Sequence, residues 1–138
     1  IRNIQNINFT SYENELIQVL MNIFINAKDA LANRKSEKLI IVVIKQIEDN
    51  LVIKIKDNAG GVDSSIIDKI FEPYFTTKHQ FNGTGIGLYM SKLIVEKHLI
   101  GEISVKNIDF IFNSKTYRGA LFELVLPLNI TNKKEAQS

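Results

Sequence analysis

Apolar residues recur along the first quarter of the chain at the spacing of one helix face. Leu16, Leu20, Ile23, Ala27 and Leu31 fall on one side of a 3.6-residue period, which predicts an amphipathic helix from about Ser11 to Asn33. Thr10 or Ser11 is its expected N-cap, with Glu13 favourable in the first turn. The pattern then changes. Leu39 to Gln46 is a β-branched run of the kind that suits a buried strand. After the turn residues Glu48, Asp49 and Asn50, Leu51, Ile53 and Ile55 alternate with Val52, Lys54 and Lys56. That alternation predicts a strand with one wetter face, hairpinned to the first. Asp57 to Asp63 reads as a glycine-containing loop, and Asp63 or Ser64 can cap a short helix through about Ile70. Glu72 to Asn82 is irregular, and Leu88 to His98 reads as a second long helix stopped by Gly101. Glu102 to Asn107 and Ala120 to Leu126 form a last pair of strands, with Pro127 ending the second. Ile1 to Asn8 alternates in part and predicts a first strand. Strands in pairs with helices between them give an α+β fold, one sheet covered on one face by helices.

Composition narrows the class without naming it. With 138 residues the chain fits one domain, assigned to residues 1–128, with a polar tail over 129–138. The hydrophobic fraction is 45% and the charged fraction 23%, enough apolar material for a core. The net charge is only +2, so nothing demands nucleic acid or an anionic membrane as a partner. There is no cysteine, which excludes disulfides, zinc–thiolate sites and thiol catalysis. No apolar run reaches about 18 residues, so no membrane span is expected. The opening Ile1-Arg2-Asn3-Ile4 has no signal-peptide character and reads as the middle of a longer protein.

Four segments carry candidate chemistry. Gln18, Asn22, Asn26 and Asp29 fall within an arc of roughly 80° on the first helix, with apolar residues including Met21 and Ile25 around much of the rest. Such a row is either a solvated stripe or a set of oxygens aimed at a ligand or a hard cation. An amide oxygen suits Mg²⁺, which takes few protein ligands and keeps waters and phosphates. Asp57-Asn58-Ala59-Gly60-Gly61 follows a strand directly. It is either a plain turn or a carboxylate beside glycines that lets another molecule approach the backbone, with Asp57 placed to accept from an amino group. Gly83-Thr84-Gly85-Ile86-Gly87 runs into a helix at Leu88. Glycines before a helix start expose N–H groups that favour anions, phosphate above all. The spacing is not a dinucleotide-binding fingerprint, and Leu88-Tyr89 stands where a Walker loop needs Lys and Ser or Thr. Phe71-Glu72-Pro73-Tyr74-Phe75-Thr76-Thr77-Lys78 places aromatics in a polar loop, a segment that docks on a core and can move. Lys78 there can reach a phosphate as a point charge.

In order and spacing these segments resemble one family. Gln18 to Ala27 resembles the N box of sensor histidine kinases, Asp57 to Gly61 the G1 box, Phe71 to Phe75 the F box and Gly83 to Gly87 the G2 box. Gly119-Ala120-Leu121-Phe122 through Leu126-Pro127 resembles the closing strand of the same domain. The resemblance implies the Bergerat, or GHKL, fold: a two-layer α/β sandwich whose mixed sheet of about five strands is covered on one face by about three helices. It implies ATP or ADP as ligand with Mg²⁺. Asn26 would coordinate the metal, and Asn22 would line the phosphate side together with the Asp29 position. Asp57 would bind the adenine amino group, with Gly61 giving close approach. Thr84, Gly85, Gly87 and the Leu88 N–H would meet the phosphates, and Lys78 would be the lid cation. Asn22, Asn26 and Lys78 are then the catalytic candidates.

The implied activity is that of a protein-histidine kinase: donation of the ATP γ-phosphate to a His on a separate dimerisation domain, then to a response regulator. His79 and His98 lack the context of a phosphoacceptor, so that His is expected outside this chain, which would be monomeric, cytoplasmic, free of direct membrane contact and inactive in autophosphorylation by itself. Two departures stand out. Many members carry a Lys three residues after the second N-box Asn; here that position is Asp29, with Lys28 one residue earlier and about 100° away around the helix. The segment between Lys78 and Gly83 is also short. In hydrolysing relatives the Asn22 position resembles a Glu that activates water; an amide cannot act as that base, so slow hydrolysis is expected. Two alternatives remain: a stand-alone GHKL regulator of the anti-sigma type that phosphorylates Ser, and a degenerate module that holds nucleotide without catalysis.

Overall fold

The computed structural model describes residues 7, 9, 12–75 and 86–129. Helix α1 (Glu13–Leu31) is followed by a hairpin of β1 (Ile40–Ile47) and β2 (Asn50–Asp57). A single 3₁₀ turn (Ile67–Lys69) leads toward α2 (Gly87–Leu93), whose last part widens into a π turn (Ile94–His98). A long hairpin of β3 (Glu102–Phe112) and β4 (Lys115–Pro127) completes the described chain. All four strands are antiparallel, in the order β1-β2-β4-β3. The α+β sandwich is as expected; the sheet is not mixed among the described residues and has four strands there rather than five. The first strand expected over Ile1–Asn8 lies outside the described residues, apart from Ile7, which packs against the core.

One face of the sheet carries the core. Leu51, Ile53 and Ile55 of β2 pair with Leu126, Leu124 and Phe122 of β4, so the same rows point into the helix layer. Val19 and Ile23 of α1 and Ile94 and Val95 of the π turn close over them, each 6% exposed or less. Phe71 packs edge-on against Phe122 with ring centroids 6.2 Å apart. On the opposite face Lys54 pairs with Glu123 at 3.6 Å, and the Lys56 ammonium lies 4.8 Å from the Phe110 ring.

Several local expectations change. The first cap is Tyr12, which makes no side-chain cap bond, and the helix is two residues shorter at each end than its apolar spacing suggests. Met21 and Ile25 do not hem in the amides: with Ile17 they stay 47–51% exposed. β1 is not buried. Ile40, Val42, Val43, Ile44 and Ile47 keep 40–49% exposure, because β1 is an edge strand and the helices pack over β2, β4 and β3. The second helix ends at a left-handed Ile100 (φ 54°), with Gly101 one residue later donating its N–H to the Val95 carbonyl at 2.8 Å. Gly101 is there for space: a Cβ would sit 2.4 Å from the Val125 carbonyl oxygen. The last hairpin is longer than predicted. Asn113 and Ser114, both at positive φ, form a tight two-residue turn, and each strand runs about five residues further toward it than expected.

Candidate functional site

The first part of the site is a buried corner at the end of β2. Asp57 continues the Leu51-Ile53-Ile55 row, so its carboxylate points under the helix layer and is 3% exposed. Its Oδ1 accepts the N–H of Ala59 at 3.0 Å and of Ala120 at 3.3 Å. Its Oδ2 accepts no hydrogen bond among the described residues. Burial pushes the Asp57 carboxyl above its ordinary range, and the two N–H bonds pull partly back. Close approach and positive φ fix the glycines around it. A Cβ on Gly119 would fall 1.6 Å from the Asp57 carbonyl oxygen. Gly60 and Gly61 sit at φ +99° and +92°, and Gly60 N–H donates to the Arg118 carbonyl at 3.0 Å. A Cβ on Gly61 would meet Asn107 Oδ1 at 2.7 Å. Asn107 in turn clamps Val62, accepting its N–H and donating to its carbonyl, both at 2.7 Å. Asn58, fully buried, is spent on structure: it accepts the Leu39 N–H at 2.8 Å and donates to the Glu37 carbonyl at 2.9 Å.

The second part lies where α1 meets the start of α2. Asn22 is half-buried, and its Nδ2 donates to the Gly87 carbonyl at 3.2 Å and to Ser91 Oγ at 3.0 Å. Asn26, one turn on, is half-buried and has no hydrogen-bond partner among the described residues. Gln18 and Asp29 on the same stripe are exposed. Gly87 opens α2 with its Cα facing Asn22, and Leu88 turns its side chain into the core. In the aromatic segment Phe71 docks on Phe122, whereas Tyr74 is 77% exposed at a positive φ of 64°. Lys78, Thr84 and Gly85 lie outside the described residues, as does His79. His98 is tied to α1 through Glu15 at 2.7 Å.

The structure thus brings Asn22 together with Gly87, and seats Asp57 with Gly61 at the end of β2. Three contributors escaped the sequence reading as site residues. Ser91 carried no signal, since a Ser within a helix is unremarkable by itself. Gly119 stood just before the strand expected from Ala120, and the structure places it inside β4, where a glycine marks close backbone approach. Asn107 closed an expected strand and gave no hint of the clamp.

Comparison with known proteins fits this arrangement. A family model described as histidine kinase-, DNA gyrase B-, and HSP90-like ATPase matches residues 11–130. The signal transduction histidine-protein kinase AtoS of Escherichia coli is 40% identical over 114 residues, covering 83% of this chain and 17% of AtoS. The Escherichia coli sensor histidine kinase ZraS is 37% identical over 118 residues, covering 86% of this chain and 23% of ZraS. The chain therefore spans about a fifth of the length of these relatives. Among solved structures, the catalytic domain of histidine kinase ThkA superposes with a TM-score of 0.70 at 24% identity, covering 89% of this chain and 72% of that one. The likeness to ThkA is one of fold. No helix among the described residues is long and apolar enough to cross a membrane. With the family match over most of its length, and the Asn22–Gly87 and Asp57 geometries in place, this chain belongs to the histidine kinase-, DNA gyrase B- and HSP90-like ATPase family.

Proposed function

We propose that residues 1–128 form the ATP-binding catalytic domain of a cytoplasmic two-component sensor histidine kinase. The domain binds ATP with Mg²⁺ and passes the γ-phosphate to a His on a separate dimerisation domain, from which a response regulator takes it. The observation that carries this reading is Asp57: a carboxylate almost wholly buried, with one oxygen fixed by two N–H donors and the other unclaimed among the described residues. Keeping such an oxygen without a protein partner costs stability. An exocyclic amino group of adenine supplies the missing donor. Asn22, Asn26, Gly87 and Leu88 form the phosphate side, and Gly61, Thr84 and Gly85 belong to the same pocket. Asp29 and Lys78 are the remaining contacts on this side, Lys78 with Lys28 as its rival for the phosphate charge.

The donor set fits magnesium rather than a metal held by protein alone. No group of three or more His, Cys, Asp or Glu side chains is poised for a metal among the described residues. Asn26 offers a hard, unpartnered amide oxygen, and phosphates and waters would complete the shell. When bound, the metal neutralises developing phosphate charge. The chain's own part in the transfer is positioning, through Asp57 at the base and the amides at the phosphates. Asn22 has no proton-accepting role at neutral pH, so hydrolysis is slow.

Calorimetry of ATP and ADP, with and without Mg²⁺, tests the reading on this chain and on Asp57→Asn. Magnesium-assisted binding that Asp57→Asn weakens strongly is the expected result. Binding indifferent to Asp57 would remove the adenine assignment. Transfer is tested in the full-length parent protein, by label from γ-³²P-ATP appearing on an acid-labile His. Steady hydrolysis by the isolated domain at about one turnover per second or faster would contradict the kinase assignment.

A further inference from the structure

The hydrogen bonds around Asn22 fix more than its position; they fix which end of its amide a ligand meets. The Gly87 carbonyl oxygen, 3.2 Å from Asn22 Nδ2, can only accept. Ser91 Oγ, 3.0 Å from the same nitrogen, spends its single proton on that Gly87 carbonyl at 2.9 Å, so toward Asn22 it too can only accept. The nitrogen end of the amide is therefore turned toward α2. A flipped amide would set Oδ1 against the Gly87 carbonyl, two acceptors with no proton between them. Ser91 is fully buried, so water cannot stand in for its hydroxyl. Asn22 Oδ1 has no partner among the described residues and is open to a ligand.

We propose that Ser91 is a positioning residue: from α2 it holds the nitrogen end of the Asn22 amide so that the oxygen is presented to the bound nucleotide complex. This rests on the placement of Asn22 in the nucleotide site. The consequence is chemical. Through that oxygen Asn22 is an acceptor, so it engages a cation, a metal-bound water or another proton-bearing group. The side chain thus contributes to the magnesium form of the ligand and little to the metal-free form. Ser91→Ala removes one of two bonds holding the amide and loosens this presentation without touching the ligand.

The test couples two readouts on the nucleotide-free domain and its Mg-ADP complex. In ¹⁵N-edited NMR of the free domain, the Asn22 side-chain NH₂ should give two distinct signals, with exchange protection on the side that faces Gly87 and Ser91. In Ser91→Ala that protection should fall and the signal shift. In calorimetry, Ser91→Ala should weaken Mg-ADP about fivefold, the size of one lost hydrogen bond, and leave metal-free ADP unchanged. Asn22→Ala should weaken Mg-ADP more, and adding Ser91→Ala to it should cost nothing further. Full multiplication of the two losses would overturn the proposal, since Ser91 would then act independently of Asn22. An Asn22 amide signal that Ser91→Ala leaves in place would overturn it equally. If the unmutated domain bound no Mg-ADP, the nucleotide assignment would fall by itself, and the NMR comparison would still decide whether Ser91 holds the amide.

Discussion

The two ends of the site are built in opposite ways. At the Asp57 corner almost everything is backbone: two N–H donors to one oxygen, two glycines at positive φ, and a third, Gly119, pressed against the Asp57 carbonyl. At the α1 end the working parts are side-chain amides, half-exposed, one held by Ser91 and the next unpartnered. The first arrangement is rigid because an added Cβ collides with main chain at Gly119 and with the Asn107 amide at Gly61. The second depends on side chains: Ser91 orients Asn22, while Asn26 on the helix surface can change rotamer at small cost. A rigid, buried acceptor suits a flat base whose shape never changes. An adjustable amide suits phosphates and metal, whose arrangement changes as the γ-phosphate leaves.

Substitutions can break this contrast, and the largest effect belongs to the rigid end. Gly119→Ala places a Cβ 1.6 Å from a backbone oxygen. The strand and the Asp57 turn must separate, so stability should fall by more than about 3 kcal/mol in urea unfolding, with nucleotide binding lost. A stable Gly119→Ala domain that still binds would show the corner to be pliable. Asp57→Asn comes next. It keeps the bonds from Ala59 and Ala120 but turns the free acceptor into a donor, so adenine-nucleotide affinity should fall about 30- to 150-fold.

The same variant should be no less stable at neutral pH. Because burial raises the Asp57 pKa in the folded state, the folded chain binds the extra proton more tightly than the unfolded one. That contribution is present below the unfolded value and is lost as pH rises through the folded one. Charged Asp57 thus costs stability at pH 7, and Asp57→Asn should melt at an equal or higher temperature. Nucleotide affinity should fall on acidification through the raised pKa in the wild type and stay flat in Asp57→Asn.

At the adjustable end, Asn26→Ala should reduce the advantage that Mg²⁺ gives to ADP binding by about tenfold while unfolding stays within about 0.5 kcal/mol, since the amide has no protein partner to lose. The smallest effect is outside both ends. Lys54 and Glu123 face solvent on the uncovered side of the sheet, each about one-third exposed. Glu123→Gln should cost at most about 1 kcal/mol and leave binding unchanged.

Much of this was legible in the chain. Local rules placed α1, the β1–β2 hairpin and the Asp57 loop within a few residues, because their signals depend on neighbours in sequence. The exposed β1 was not legible. A β-branched run looks the same in a central strand and at an edge, and only the sheet order assigns β1 to the rim. The π turn and left-handed Ile100 were hidden for a similar reason: a β-branched residue at positive φ is unfavourable alone and is held there by the Gly101–Val95 bond and the packing of Gly101 on Val125. The long last hairpin had a signal in Asn113-Ser114 that a stricter reading of turn residues could have used.

By itself the sequence determined the residue types on offer: a carboxylate closing a hydrophobic alternation, amides four apart on a helix, glycines where backbone must pass close. Those depend only on chemistry and on distances along the chain. Which atoms of those residues remain free was decided by tertiary structure alone. Asp57 Oδ1 is engaged by Ala120, 63 residues away, and the Asn22 NH₂ by Gly87 and Ser91, 65 and 69 residues away. A hydrogen bond removes one particular donor or acceptor from use, and when its partner comes from another element, no local pattern can reveal which one is left.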